Sequence, residues 1–272
     1  MKLTGARVLI TGAAGGLGSA IARCLAGAGS AVLLADRDAG PLEALAGELQ
    51  STAGRAASLA GDLGERGDRA RIASLAQQWL GGVNVLVNNA GLNDFSFLGD
   101  QDEARIEAQL RINLLAPMLL TRALLPHLGA LPEAHVINIG STFGSIGYPG
   151  YAPYSASKFG LRGFTEAIRR EHADGPVKFH YVAPRAIRTA LNSAAACGLN
   201  DALGVTMDPP ELAATAVAHV IEHGGAETYV GWPESFFVRL NALLPGIVDA
   251  TVRKQLDVIK QYAALPDLPA GN

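Results

Sequence analysis

Short apolar runs alternate along the chain with amphipathic stretches, in the order that builds a parallel sheet covered by helices on both faces. Val8-Leu9-Ile10, Ala31-Val32-Leu33-Leu34-Ala35 and the runs at 56–60, 83–87, 135–139, 177–182 and 228–230 predict seven strands. Helical spacing covers 40–50, 67–79, 103–128, a segment bearing Tyr154 that continues to about 172, and 211–223. In the longest of these, Ile106, Leu110, Asn113 and Pro117 fall at helical intervals, and Pro117 is expected to kink it. The prediction is one doubly wound α/β domain over residues 1–230, with a helical extension at 231–272. In that extension Phe236, Leu240, Leu243, Leu244, Ile247 and Val248 form an apolar stripe interrupted near Pro245. A face packed on the same domain or on a partner subunit is the first expectation for it; an apolar substrate wall or a membrane-surface contact is the other.

The first strand leads directly into Thr11-Gly12-Ala13-Ala14-Gly15-Gly16-Leu17-Gly18, after which Ile21, Cys24 and Leu25 recur at helical spacing. A strand, a glycine turn and a helix N-terminus form a site for a pyrophosphate. Glycine lets backbone approach without a Cβ clash, and free N–H groups and the helix dipole face the anion. The second strand ends at Asp36, where a dinucleotide fold needs a carboxylate for the adenosine ribose hydroxyls. That carboxylate repels a 2′-phosphate and favours NAD over NADP. Arg37 pulls the other way, because a guanidinium clamps phosphate.

Tyr154-Ser155-Ala156-Ser157-Lys158 places a phenol and an ammonium four positions apart, on one helix face. Tyrosine ordinarily titrates near pH ~10 and an adjacent cation favours its phenolate, so the pair suits proton exchange with an alcohol or a carbonyl.

With these residues in place the chain resembles the short-chain dehydrogenase/reductase family over roughly its first 230 positions. Thr11, Gly12, Gly16 and Gly18 match the family's Thr-Gly-x-x-x-Gly-x-Gly turn, Asp36 its ribose acid, and Asn88-Asn89-Ala90-Gly91 its Asn-Asn-Ala-Gly segment. The resemblance implies a single Rossmann-type domain, adenine contacts from Asp62 and Leu63, and a catalytic set of Asn113, Ser141, Tyr154 and Lys158. It implies dinucleotide contacts at Leu17, Asn89, Ala90 and Gly91, from Tyr154 and Lys158, and at Pro184, Ile187 and Thr189 after the sixth strand. Gly15 stands where NADP-preferring members often carry a basic residue, which adds to the expectation of NAD. The implied roles are Tyr154 as acid/base, Lys158 lowering its pKa and contacting the nicotinamide ribose, Ser141 holding the substrate oxygen, and Asn113 anchoring a water that links Lys158 to solvent.

Two departures stand out, the C-terminal continuation through 231–272 and the segment after the sixth strand. Arg185 follows Pro184 where the family usually has glycine, and either greets an anionic substrate group or lies solvated at the surface. Residues 190–205, which follow the nicotinamide segment, are the expected substrate loop.

Composition narrows the rest. A net charge of −3 and no basic run with interleaved aromatics give no reason to expect nucleic acid. Cys24 and Cys197 read as reduced thiols. No apolar signal segment opens the chain and no uncharged run approaches ~18 residues, so a cytoplasmic protein with little membrane contact is expected. His219-Val220-Ile221-Glu222-His223 fits an inverted zinc-protease pattern, but Gly224-Gly225 end the helix there and no third ligand is apparent, so no metal is expected. The function expected is NAD(P)-dependent interconversion of a small-molecule secondary alcohol and a ketone by a homodimer or other homo-oligomer. The alternative is a nucleotide sensor or scaffold without turnover.

Overall fold

The computed structural model describes residues 1–265. Seven parallel strands, β1 (Arg7–Thr11), β2 (Ala31–Asp36), β3 (Ala56–Ala60), β4 (Val85–Asn88), β5 (Ala134–Ile139), β6 (Val177–Pro184) and β7 (Glu227–Val230), lie in the order β3-β2-β1-β4-β5-β6-β7. Period-two alternation divides the core. Val8, Ile10, Val32 and Leu34 point to one face, where they meet Ile21 and Leu25 of α1 (Gly16–Gly27), Leu42 and Leu45 of α2 (Ala39–Ala53), and Val217 and Ile221 of α8 (Pro210–His223). Leu9, Leu33 and Leu86 point to the other. They meet Ile72 of α3 (Arg66–Gln78), Leu120 and Leu124 of α5 (Ala116–Gly129), and Ile168 of α6 (Ala152–Glu171). The chain leaves β1 towards β2 on one side and returns to β4 on the other. A crevice therefore opens at the carboxyl ends of these strands.

The stretch 103–128 is helical throughout: α4 (Glu103–Leu110), a wide π-helical turn at Arg111–Leu115, and α5. Pro117 lies in the first turn of α5, directly after the wide turn. Asn113 stands in the wide turn. Residues 190–205 are only partly loop: they contain α7 (Ala194–Ala202), capped by the Ser193 hydroxyl accepting from the Ala196 N–H at 3.2 Å.

Beyond β7 come α9 (Glu234–Leu243) and α10 (Pro245–Ala263). Ile259 is fully buried in a small core with Phe95, Tyr151 and Leu199, joined by Tyr262. Asn241 donates to the Ser145 carbonyl (2.9 Å), and the Tyr148 hydroxyl donates to Gln255 (3.1 Å). The apolar stripe expected here divides: Val248 is buried, Leu240 is half-buried, and Phe236, Leu243, Leu244 and Ile247 are exposed. Among the described residues no single helix is long and apolar enough to cross a membrane.

Candidate active site

The crevice is a cleft of about 1080 Å³. Its first part is the glycine turn. Gly12 adopts φ +63°, and a Cβ there would stand 2.7 Å from the Ala90 Cα; a Cβ on Gly18 would meet the Gly12 carbonyl at 2.0 Å. The turn is locked to the segment after β4: the Thr11 hydroxyl accepts from the Asn89 and Ala90 N–H groups (3.0 and 3.1 Å), and Asn89 Nδ2 donates to the Thr11 and Gly12 carbonyls (2.9 and 3.0 Å). Asn89 thus shapes the turn from behind. No side chain caps α1 and no acidic residue lies in its first turn, so its N–H groups and positive dipole end face the cleft uncompensated. Asp36 accepts from the Ala14 N–H (2.9 Å) and the Arg37 N–H (2.7 Å), which fixes its carboxylate beside the turn. Arg37 pairs with Asp38 at 3.2 Å, both exposed. Asp62 accepts from the Gly64 N–H (2.7 Å) and Leu63 is buried. These features fit a dinucleotide: a donor-rich helix end for the pyrophosphate, a carboxylate for the ribose and an apolar side chain by the adenine position.

Of the residues singled out from the sequence, Gly12, Gly16, Leu17, Gly18, Asp36, Arg37, Asp62, Leu63, Asn89, Ala90, Gly91, Ser141, Tyr154, Lys158, Pro184, Ile187 and Thr189 all line this one cleft. Asn113 does not. It is fully buried, its Oδ1 accepting from the Leu92 N–H (2.7 Å) and its Nδ2 donating to the Leu92 carbonyl (2.8 Å) and the Ser157 hydroxyl (3.1 Å). The carboxamide braces the loop after β4 and α6.

Ser141, two residues past β5, and half-buried Tyr154, on α6, both line the cleft, close enough that the Ser141 hydroxyl favours the phenolate. Lys158 is buried one turn on, its ammonium donating to the Ile139 carbonyl (3.0 Å) and lying 5.7 Å from the Tyr154 ring centroid. Burial pushes Tyr154 up to about 12 while the Ser141 hydroxyl pulls it down, and burial pushes Lys158 down to about 8. The expected lowering of Tyr154 by Lys158 is therefore not the condition of the protein alone. The ammonium is turned to the Ile139 carbonyl, and desolvation is the largest influence on the phenol.

Several supporting groups, Asn88 apart, lie outside the sequence motifs. The Tyr181 hydroxyl, in the middle of β6, accepts from the Ser141 N–H (3.3 Å) and donates to the Ser141 carbonyl (3.2 Å). A buried chain runs from Asn88 Nδ2 to Asn138 Oδ1 and from Asn138 Nδ2 to the Thr165 hydroxyl, both 2.8 Å, tying β4 and β5 to α6. The only hint of Tyr181 in the sequence is its size beside Gly140, since a Cβ there would fall 2.0 Å from the Tyr181 ring.

Arg185 meets neither expectation. Its guanidinium forms a two-pronged pair with Asp208 (2.7 and 2.6 Å) and donates to the Trp232 carbonyl (2.9 Å), so it is neither solvated nor turned to a ligand. His219 and His223 stack on each other, ring centroids 4.4 Å apart, at the end of α8. Cys24 and Cys197 are free, half-buried thiols, both pushed up by burial.

Comparison with known proteins agrees with this geometry. Residues 6–198 match the family model of the short chain dehydrogenases. The chain is 31% identical over 274 residues to the uncharacterized oxidoreductase YxnA of Bacillus subtilis, covering 98% of this chain and 77% of that one. A metagenomic short-chain oxidoreductase solved with NADP superposes with a TM-score of 0.73 at 32% identity, over 85% of this chain and 98% of that one. The 3-ketoacyl-(acyl-carrier-protein) reductase of Brucella melitensis, solved with NADH, superposes with a TM-score of 0.76 at 26% identity, over 84% and 97%. The chain belongs to the short-chain dehydrogenase family of oxidoreductases.

Proposed function

We propose that the protein interconverts a secondary alcohol and a ketone, with Tyr154 as the general acid/base. The observation that carries this reading is the convergence of Ser141, Tyr154 and Lys158 on one cleft with the glycine turn. When bound, the nicotinamide ring takes hydride from the carbinol carbon or returns it to the carbonyl carbon. Tyr154 accepts the hydroxyl proton in oxidation and donates it in reduction. Ser141 holds the substrate oxygen against the phenol and shares the charge that builds on it. Lys158 keeps a positive charge one helical turn from the phenol and binds the adjoining ribose; with an oxidised, cationic ring present, the two charges together offset the desolvation that holds Tyr154 near 12. Asn113 braces the loop after β4 and Ser157, which fixes the helix that bears the pair.

NAD is the favoured form in this reading. Asp36 is fixed beside the turn by two backbone N–H groups, and the Arg37 guanidinium that would clamp a 2′-phosphate is paired with Asp38. Replacement Tyr154→Phe tests the proposal: turnover of alcohols and ketones is expected to fall at least about 10³-fold with NAD affinity within about twofold of wild type. A sensor or scaffold on the same fold would bind NAD and show no turnover before the replacement.

A further inference from the structure

Beyond Tyr154, away from the glycine turn, the cleft changes character. Its floor is aromatic: Phe143 stacks on Tyr148 (5.1 Å, 7°) and tilts against Tyr151 (5.1 Å), which meets the Tyr154 ring edge-on at 6.2 Å. The facing wall is supplied by α7, α9 and α10 through Leu199, Phe237, Leu240, Ile247, Val248 and Val252. Phe237 and Ile247 remain 39% and 52% exposed although they line the cleft, so among the described residues they keep open apolar surface there.

Charge is segregated. The ionic side chains of the lining follow β2 and β3 or stand at 107 and 111, beside the dinucleotide half, apart from Lys158 and Arg185. Lys158 sits at the reacting end, and Arg185 is neutralised by Asp208. Three polar side chains on the wall are engaged: Gln255 accepts from Tyr148, Asn192 Nδ2 donates to the Ile187 carbonyl (2.7 Å), and the Thr251 hydroxyl donates to the Ile247 carbonyl (3.0 Å); Asn200 and Asn93 are the neutral amides left to meet a ligand's few polar atoms. An anionic substrate tail would be desolvated there without a counter-charge, and a polyol would lose water for few replacement bonds.

We propose that the substrate is a neutral alcohol or ketone whose body is mainly hydrocarbon, seated between the Phe143–Tyr148–Tyr151 floor and the α9–α10 wall. This rests on the alcohol–ketone reading above. Each methylene that enters such a wall gains about three- to fourfold in kcat/KM, until the chain passes the rim at Ile247.

The test uses the full chain with NAD or NADP, in both directions. The probes are 2-alkanols and 2-alkanones of rising length, the same compounds with a terminal carboxylate, and polyols of equal length. The expected result is a rise of about threefold per methylene in the first series and at least a hundredfold lower kcat/KM for the matched carboxylates. Ile247→Glu, an exposed substitution that leaves the core intact, is expected to flatten the length dependence to below about 1.5-fold per methylene, with the thermal midpoint checked alongside. Highest kcat/KM on the carboxylate or polyol members, or an unchanged slope in Ile247→Glu, overturns this proposal and leaves the alcohol–ketone reading standing. No turnover of any probe overturns that reading, and this one with it.

Discussion

The Tyr181 hydroxyl closes on both backbone polar atoms of Ser141, accepting from its N–H and donating to its carbonyl, while the ring fills the space left by Gly140 and Gly144. Tyr181→Phe keeps the ring and removes both bonds, leaving the Ser141 N–H without a partner while its carbonyl still accepts from the Gly144 N–H (2.9 Å). The expected outcome is a loss of about 1–2 kcal/mol in stability and about tenfold in kcat, with the KM for NAD unchanged. Denaturant unfolding and steady-state kinetics read the two effects separately.

Asn113→Ala strips the partner from both polar backbone atoms of Leu92 and removes the donor to the Ser157 hydroxyl, which still donates to the Tyr154 carbonyl (2.6 Å). About 2–3 kcal/mol of stability is expected to go, together with a several-fold weaker NAD affinity as the segment after β4 loosens. Asn113→Asp keeps the acceptor for the Leu92 N–H but loses the donor and adds a buried charge, so it is expected to be no better. Isothermal titration of NAD into each variant, beside urea unfolding, checks both statements.

Lys158 gives a pH signature. Its folded-state value is about 8 against the usual 10.5, so between these limits the unfolded chain holds a proton that the folded chain has released. Raising the pH through that window favours the folded form. Stability without cofactor is expected to climb by about 2–3 kcal/mol from pH 8 to pH 10 and to be independent of this group below pH 8. Lys158→Met removes the climb. The window closes at pH 10 because the unfolded chain's counterpart of Tyr154 begins to ionise there while the folded phenol waits until about 12, which works in the opposite direction. Urea midpoints at half-unit pH steps for the two proteins provide the comparison.

Asp208→Asn removes the two-pronged carboxylate partner of the Arg185 guanidinium in a largely buried position and leaves its bond to the Trp232 carbonyl. The expected cost is about 3 kcal/mol, most of it the desolvated charge left behind. Replacing both residues with apolar groups of similar size recovers much of that cost. Thermal unfolding of the single and double variants measures the difference.

Alternation of Val8, Leu9 and Ile10 was enough to set the sheet's two faces, because each strand is a short uninterrupted apolar run with nothing else it can form. The glycine turn, Asp36, Tyr154 and Lys158 were legible because their chemistry depends on near neighbours in sequence. What escaped was everything set by a distant partner. Tyr181 acts on Ser141 across 40 positions, Arg185 finds Asp208 across 23, and Asn88 reaches Asn138 across 50. None of these bonds leaves a local period. The helix at 194–202 was read as loop for a different reason: its alanines make no amphipathic stripe, and tertiary packing against α10 decides its shape.

The Asn88–Asn138–Thr165 chain works like a dowel driven crosswise through adjacent planks. Neither β4, β5 nor α6 can slide along its own axis without breaking it, and each of the three delivers a different portion of the cleft's edge. Piecemeal wear of the reaction geometry on warming is thereby suppressed: enzymatic output and helical ellipticity are expected to fail together, at one temperature.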